Sequence, residues 1–278
     1  MRVLKSILMW TSLLLLFIVI FYSFLTIIFQ PSNDRVWSTD QAILPYAEIN
    51  GNLVNIHNIR NFSYRTTNDY TPAYYDKTFD LDKIKSVYYV VEPFSGFLGA
   101  AHTFLSFEFE ENNFVSISVE IRKEKGESFS AFKGILRQYE LMYVIADERD
   151  VLKLRTNYRK DKVFVYPVNT TKEKMRALFL DMINRANGLK DSPEFYNTIT
   201  NTCTTNIMRH VNKISPHRIP LSLKVLMPKY SDELAYKLEL IDTSLPLEQI
   251  RTKYGVNERA EIYDNDPEFS ARIRQWDQ

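Results

Sequence analysis

The chain carries a single cysteine, Cys203, within the sequence NTCTTNI. Its neighbours are small and polar, whereas a cysteine kept for packing usually lies among apolar residues. Ile207, Met208 and Val211 follow at helical spacing, which predicts that Cys203 lies at the start of a helix. Unpaired backbone N–H groups at such a position favour a thiolate and can stabilise an oxyanion. Cys203 is therefore a candidate nucleophile, and a small buried packing residue is the alternative.

Two neighbouring segments supply a histidine and a glutamate that could assist this thiol. The segments HTFLSFEFE (102–110) and FVSISVEIR (114–122) alternate apolar and polar residues and are joined closely enough for an antiparallel hairpin. Matching their apolar faces pairs Phe109 with Val115, Phe107 with Ile117 and Leu105 with Val119. This register places His102 opposite Arg122 and diagonal to Glu120, within reach of long side chains.

A cysteine, a histidine and a carboxylate are the groups that a thiol nucleophile uses. The thiolate attacks, the imidazole takes and returns the proton, and the carboxylate holds the imidazole tautomer. The pattern predicts these roles for Cys203, His102 and Glu120. It also leaves simpler alternatives, in which His102 is an ordinary residue at a strand end and Glu120 forms a surface charge pair with Arg122.

The other histidines and one charged segment are weaker candidates. His57, His210 and His217 are rival bases, and His210 lies two helical turns beyond Cys203, so it points further along the same helix. We interpret all three as structural. The segment DERDVLKLR (147–155) is interpreted as a solvent-exposed run of charges that contains at most a structural ion pair.

The elements that must position these residues are strands followed by helices. Branched and aromatic residues predict strands in six segments, namely 53–59, 86–92, 102–110, 114–122, 141–146 and 163–168. Helical periodicity begins near residue 170, with Thr170 and Glu173 as a capping box and Gly188 as a stop. The order predicts an α+β domain in which helices pack on an antiparallel sheet.

The N-terminus predicts a membrane anchor. Residues 6–30 carry no charge and are long enough to span a bilayer, and Gln30, Pro31 and Ser32 follow instead of a small-residue cleavage site. Arg2 and Lys5 precede the span, so the N-terminus is expected in the cytoplasm. We expect an anchor over residues 1–33, an extracytoplasmic domain over 34–250, and a polar, loosely held tail over 251–278.

Composition excludes several classes of protein. The 35 lysine and arginine residues balance 34 acidic ones, so no concentrated basic surface predicts a nucleic-acid partner. One cysteine permits neither an internal disulfide nor a zinc cluster of several thiolates. No metal or organic cofactor is expected, and the oligomeric state is left open.

Four segments in order resemble the Lnb N-terminal periplasmic domain family. They are EINGNLVNIHNIRNFSYR (48–65), AHTFLSFEFEENNFVSISVEIRKEKGESF (101–129), LRQYELMYVIADERDVLKLR (136–155) and FYNTITNTCTTNI (195–207). The resemblance covers roughly residues 37–215. The family pattern often has Asn directly before the cysteine, whereas this chain has Thr202 there and Asn201 one position earlier.

The resemblance implies a permuted papain-like fold in which the histidine precedes the cysteine. It implies that His102 is the base and Cys203 the nucleophile, and Glu120 is our candidate for the third member. It implies lipoprotein N-acyl transfer at the cytoplasmic membrane, with phospholipid and lipoprotein substrates and a thioester on the cysteine. A thiol hydrolase of the envelope (an amidase, peptidase or lipid esterase) and a non-catalytic lipid-binding protein are the alternatives.

Overall fold

A computed structural model describes residues 2–96, 98–216 and 218–276. The first helix, α1 (Arg2–Ile28), is long and apolar enough to cross a membrane over Val3–Ile28, and most of its side chains are exposed. The segment after it is tied to the rest of the chain. The Ser32 N–H donates to Glu140 Oε1 at 3.1 Å, and Asn33 Nδ2 donates to the Leu189 carbonyl at 2.9 Å.

An eight-stranded sheet forms the centre of the domain. Its strands are β1 (Tyr46–Asn50), β2 (Leu53–Arg60), β5 (Tyr74–Asp80), β6 (Ile84–Pro93), β7 (Ala101–Phe109), β8 (Asn113–Arg122), β9 (Glu140–Ala146) and β10 (Phe164–Pro167). Their order is β1-β2-β9-β8-β7-β6-β10, and β5 also pairs with β2. The pairing of β2 with β9 is parallel, and the other pairings are antiparallel. The short strands β3 (Ser63–Tyr64) and β4 (Tyr70–Thr71) form a separate pair.

Helices cover both faces of this sheet. After α1 they are α2 (Ala131–Ile135), α3 (Glu148–Lys153), α4 (Lys172–Asp191), α5 (Cys203–Ile214), α6 (Leu223–Leu226), α7 (Ser231–Lys237), α8 (Leu247–Tyr254), α9 (Asn257–Ile262) and α10 (Phe269–Arg272). A π-helical segment, Leu154–Arg159, continues α3. The predicted α+β class, with helices packed on a largely antiparallel sheet and one apolar N-terminal helix, is therefore confirmed.

Each face of the sheet has its own hydrophobic core. On the first face, residues from α4 and α5 pack against alternate residues of β7, including Leu105, Phe107 and Phe109. On the second face, Phe104 of β7 packs with Val151 of α3 and with residues of α9 and α10. Because strand side chains alternate between faces, a residue and its neighbour in β7 lie in different cores.

The β7–β8 hairpin keeps the predicted faces but shifts the predicted register by two residues. Phe107 pairs with Val115 and Leu105 with Ile117, instead of Ile117 and Val119. The cause is a tight reversal in which Glu111 and Asn112 adopt left-handed backbone angles, with φ of 60° and 54°. A shift of two preserves the side-chain alternation, so the apolar residues still share one face. Continued along the strands, the register sets His102 opposite Glu120 rather than diagonal to it.

Helix α4 begins and ends later than predicted. Its N-cap is Thr171, which accepts the Lys174 N–H, so the capping box proposed for Thr170 and Glu173 is wrong by one residue. The helix also continues through Gly188 to Asp191. Packing against β1, β6 and β9 explains this extension, since burial of an apolar face outweighs the weak helix propensity of one glycine.

The end of the chain is packed rather than loosely held. Helix α8 runs across residue 250, and beyond it Tyr254, Val256, Phe269 and Ile273 are buried. Arg274 Nη1 donates to the buried carboxylate of Glu148 at 2.8 Å. Residues 251–276 are mostly polar, but their apolar side chains pack together and complete the core of the second face.

Candidate functional site

Cys203 is the first residue of α5, as its spacing predicted. The helix starts with a reciprocal cap in which the Thr205 N–H donates to Thr202 Oγ1 and the Thr202 N–H donates to Thr205 Oγ1. Thr202 therefore serves as the N-cap at the position where the resembling family often has Asn. Among the described residues, the backbone N–H groups of Cys203 and Thr204 have no hydrogen-bond acceptor. Two donors are thus available for an oxyanion that forms beside the sulfur.

The sulfur lies on the first face of the sheet. Cys203 is only 6% exposed and belongs to the core that includes Ile207 and Leu105. Its sulfur lies 3.7 Å from Thr204 Oγ1, and Thr204 Oγ1 lies 3.0 Å from Thr103 Oγ1 on β7. Burial raises the pKa of Tyr196, and the nearby charge of a Cys203 thiolate raises it further. The thiol therefore has hydroxyl and phenol neighbours on this face.

An aliphatic pocket adjoins the cysteine along the same helix. It has a volume of about 120 Å³ and is lined mainly by aliphatic side chains, among them Leu105, Leu178, Ile207, Val211, Val225 and Ile241. Thr204, directly after Cys203, is one of several polar residues in the lining. Pockets with apolar walls and few polar groups bind largely apolar ligands. The aliphatic walls of this pocket suit a hydrocarbon chain.

His102 and Glu120 form a second polar group, on the other face of the sheet. His102 Nε2 lies 2.6 Å from Ser118 Oγ, and this hydroxyl donates to Glu120 Oε1 at 2.9 Å. The direct distance from His102 Nε2 to Glu120 Oε1 is 3.6 Å. Because Ser118 gives its proton to Glu120, the imidazole donates from Nε2 to Ser118. None of the described residues bonds its other nitrogen, Nδ1.

Arg155 favours the ionised form of Glu120 and the neutral form of His102. Its Nη2 donates to Glu120 Oε1 at 3.2 Å, and its Nε donates to the buried Glu92 at 2.6 Å. Burial would raise the pKa of Glu120, but Arg155 and His102 outweigh it and hold that pKa well below its usual range. Burial and the charge of Arg155 lower the pKa of His102 to about 3, although Glu120 opposes this shift. The pair at neutral pH is a neutral imidazole beside a carboxylate.

The structure thus brings together two of the three predicted site residues. His102 and Glu120 are partners, as the shared face of the hairpin predicted. Cys203 lies on the opposite face, since its helix contacts Thr103 whereas the ring of His102 stacks with Phe104. Among the described residues, no hydrogen bond or ion pair joins Cys203 to His102 or to Glu120. The expectation that the three side chains form one connected triad is not met by this geometry.

The two rival histidines that the structure describes, His57 and His210, both contact acidic side chains. His57 Nδ1 lies 2.7 Å from Asp76 Oδ2, and its ring stacks on Tyr46. His210 is buried between Asp181 and Tyr143, at 2.6 Å from each. Both positions fit the structural roles that we expected. His217 lies outside the described residues.

Sequence reasoning missed the buried charges on the second face. The segment 147–155 was expected to be solvent-exposed, but Glu148, Asp150 and Arg155 are buried and ion-paired. A signal was present, because residues 148, 151, 152 and 155 recur at helical spacing and define one inward face. Ser118 and Thr103 were also missed, since a strand hydroxyl shows its partner only after the strands are paired.

Comparison with known proteins agrees with the resemblance seen in the motifs. A family model described as the Lnb N-terminal periplasmic domain matches residues 70–229. The matched range contains Cys203, His102 and Glu120, whereas the motif at 48–65 lies outside it. No curated protein and no solved structure matches the chain. The match and the apolar N-terminal helix together fit a single-pass membrane protein of the cell envelope.

Proposed function

Because the chain belongs to the Lnb N-terminal periplasmic domain family, we propose that it is a membrane-anchored thiol acyltransferase acting on lipids or lipoproteins. The observation that carries the proposal is the position of Cys203 at the start of α5. The next residues of that helix, including Thr204 and Ile207, line an aliphatic pocket. An acyl chain held in this pocket would bring its ester carbonyl to the sulfur.

The first step is formation of a thioester on Cys203. The thiolate attacks the ester carbonyl carbon, and a carbon–sulfur bond forms as the ester carbon–oxygen bond breaks. The leaving alkoxide takes up a proton equivalent to the one that the thiol released. The free N–H groups of Cys203 and Thr204 donate to the carbonyl oxygen as its negative charge develops.

The second step passes the acyl group to an amine. The amine nitrogen attacks the thioester carbonyl, the carbon–sulfur bond breaks, and an amide forms. The proton lost by the amine restores the thiol. An amine such as the N-terminus of a lipidated cysteine in a lipoprotein suits this step, and a water molecule in its place would make the enzyme a hydrolase.

The thiol proton has a route that does not need His102. In the described geometry the imidazole and the sulfur lie on opposite faces of the sheet. We therefore assign the acceptance of this proton to solvent. The roles assigned from the sequence, His102 as base and Glu120 as its orienting carboxylate, remain predictions.

The same function requires the protein to lie at a membrane. We place α1 in the cytoplasmic membrane with the N-terminus inside, because Arg2 and Lys5 precede the span. The domain then faces the periplasm or extracytoplasmic space, where phospholipid and lipoprotein substrates meet at the membrane surface.

Intact-mass analysis of the protein purified from membranes tests the proposal. We expect a fraction of the protein to carry one fatty-acyl group, removable by neutral hydroxylamine as thioesters are. Cys203→Ala should lack this adduct while still retaining lipid in the pocket. An unmodified native protein that retains lipid as well as Cys203→Ala does would overturn acyl transfer and favour lipid binding. An adduct that appears with donor lipid and is lost to water, with no amide product, would favour hydrolysis.

A further inference from the structure

One end of the sheet lies next to the membrane anchor. At this end Pro93 pairs with Ala101, and Arg122 pairs with Glu140. Glu140 also accepts the Ser32 N–H just after α1. We call this end the anchor end of the sheet. Cys203 lies near it as well, because Thr103, two residues into β7 from Ala101, contacts Thr204.

Large apolar side chains are exposed around the anchor end. Leu98, which is 87% exposed, precedes Gly99 in the loop before β7. That loop contacts the segment after α6, since the Lys229 N–H donates to the Gly99 carbonyl at 3.1 Å. Leu223 on α6 is 73% exposed, and Leu221 beside it is 66% exposed. These leucines form one exposed group at the side of the pocket, because Val225 of the same helix lines that pocket.

A second exposed group lies on the other side of the same end. Phe129 is 51% exposed and Phe132, on α2, is 68% exposed. Their segment is tied to the start of β9, since Tyr139 donates its hydroxyl proton to the Ser128 carbonyl at 2.6 Å. Ile199 is 50% exposed, and the adjacent Thr198 donates to the Ala131 carbonyl at 2.7 Å.

The charge of the first group favours an anionic surface. Residues 213–230 contain four basic residues, Lys213, Arg218, Lys224 and Lys229, and no acidic one. Lys213 and Lys224 pair with Asp181 and Glu233 from neighbouring helices. Arg218 and Lys229 have no acidic partner among the described residues. Exposed leucines flanked by free cations are the composition of segments that lie in the interface of anionic bilayers.

We propose that the anchor end of the domain docks on the bilayer that holds α1. Leu98, Leu221 and Leu223 on one side, and Phe129, Phe132 and Ile199 on the other, would enter the interfacial region of the membrane. Arg218 and Lys229 would bind anionic headgroups. The connector after α1 enters the domain at this same end, so the anchor already holds these side chains near the membrane.

Docking explains how an apolar substrate reaches the pocket. A diacyl lipid would move from the bilayer, past the exposed leucines, into the pocket that Val225 lines. It would not have to cross water. The docking itself is inferred from the exposed residues and the anchor. Only the delivery of a lipid substrate to the pocket rests on the proposed function.

Site-specific fluorescence in the full-length protein tests the docking. In a Cys203→Ser background, single cysteines replace Leu223, Phe132 or Leu53, and each carries a nitrobenzoxadiazole probe. Leu53 is the matched control, because it is 48% exposed but follows Asn52, which bonds Asp82 at the far end of the sheet. The three proteins are reconstituted in phosphatidylcholine vesicles with or without phosphatidylglycerol, and lipids with spin-labelled acyl chains serve as quenchers.

We expect strong quenching at positions 223 and 132, little at position 53, and an increase with phosphatidylglycerol that Arg218→Ser with Lys229→Ser abolishes. Probes at 223 and 132 that are quenched no more than the probe at 53 would overturn the docking. Probe fluorescence at 223 and 132 that reports an apolar environment in detergent, and more strongly at higher protein concentration, would also overturn the docking. A second copy of the chain would then cover these side chains. Since the background lacks the thiol, these outcomes do not depend on acyl transfer.

Discussion

Thr103 and Thr204 share a hydrogen bond, with 3.0 Å between their hydroxyl oxygens, that joins β7 to the first turn of α5. The contact places Cys203 over the face of the sheet on which Thr103 lies. His102 is the preceding residue of the same strand and therefore lies on the other face, where Ser118 and Glu120 bind it. One strand thus separates the candidate nucleophile from the candidate base.

The reactivity of Cys203 should depend on its own face of the sheet. We expect Thr103→Val to change the rate of alkylation by iodoacetamide, because it removes the hydroxyl that holds Thr204 beside the sulfur. His102→Ala and Glu120→Gln should change this rate little. Time-resolved intact-mass measurements on the native proteins give the rates. A large decrease in His102→Ala would show that the imidazole reaches the thiol in solution and would restore the predicted triad.

Phe107 should be a major contributor to stability. It is fully buried on the first face, and its ring meets that of Phe179 edge to face at 5.0 Å. Phe107→Ala should lower the free energy of unfolding by ~3–5 kcal/mol through loss of burial and formation of a cavity. The exposed Leu53→Ala, as control, should change it by less than about 0.5 kcal/mol. Urea denaturation in detergent, followed by tryptophan fluorescence, measures both, and equal effects would contradict the described core.

The ion pair between Arg274 and Glu148 should hold the end of the chain on the second face. Both side chains are buried, and Glu148 also accepts from Ser106. Arg274→Met should cost ~3–5 kcal/mol because it leaves a buried carboxylate without its cation. Adding Glu148→Gln should recover part of this loss. As a control, Arg272→Met removes a more exposed partner of Asp266 and should cost at most about 1 kcal/mol. Similar losses for the two arginines would argue against a packed C-terminal segment.

Stability should fall on acidification through His102. Its pKa is about 3 in the folded protein, mainly through burial and then Arg155, against about 6.5 in an unfolded chain. Between these values the unfolded state binds the extra proton, so the free energy of unfolding should decrease as the pH falls from about 6.5 to about 3. The lowered pKa of Glu120 adds to the loss in the acidic part of this range. His102→Gln should flatten the dependence, and an unchanged slope in pH-dependent urea denaturation would contradict the buried neutral imidazole.

The domain should be accessible from outside the cytoplasmic membrane. Arg2 and Lys5 before the span predict an N-terminus in the cytoplasm, and the long uncharged span is expected to remain on the mature protein. Protease added to intact spheroplasts should digest residues 34–278 and leave a small N-terminal fragment, while a cytoplasmic marker protein stays intact. Complete protection of the domain would reverse the orientation.

Local patterns determined much of this protein. An uncharged run of about 25 residues specified α1, because only its length and polarity matter for crossing a bilayer. The alternation in β7 and β8 specified which side chains share a face, since the period of a strand is two residues whatever packs on it. The helical spacing of Ile207, Met208 and Val211 indicated a helix that starts at Cys203, because helical periodicity is a local pattern.

Tertiary structure decided what those patterns could not. Alternation separates His102 from Thr103, but it does not say which of the two faces receives α5. Helix packing decides this, and it set the helix that carries Cys203 on the face of Thr103. The buried partners of Arg155 and the packing of residues 251–276 likewise depend on segments far apart in sequence. Charged residues pair in the interior only where the fold excludes water and supplies the opposite charge, and neither condition is recorded in a short stretch of sequence.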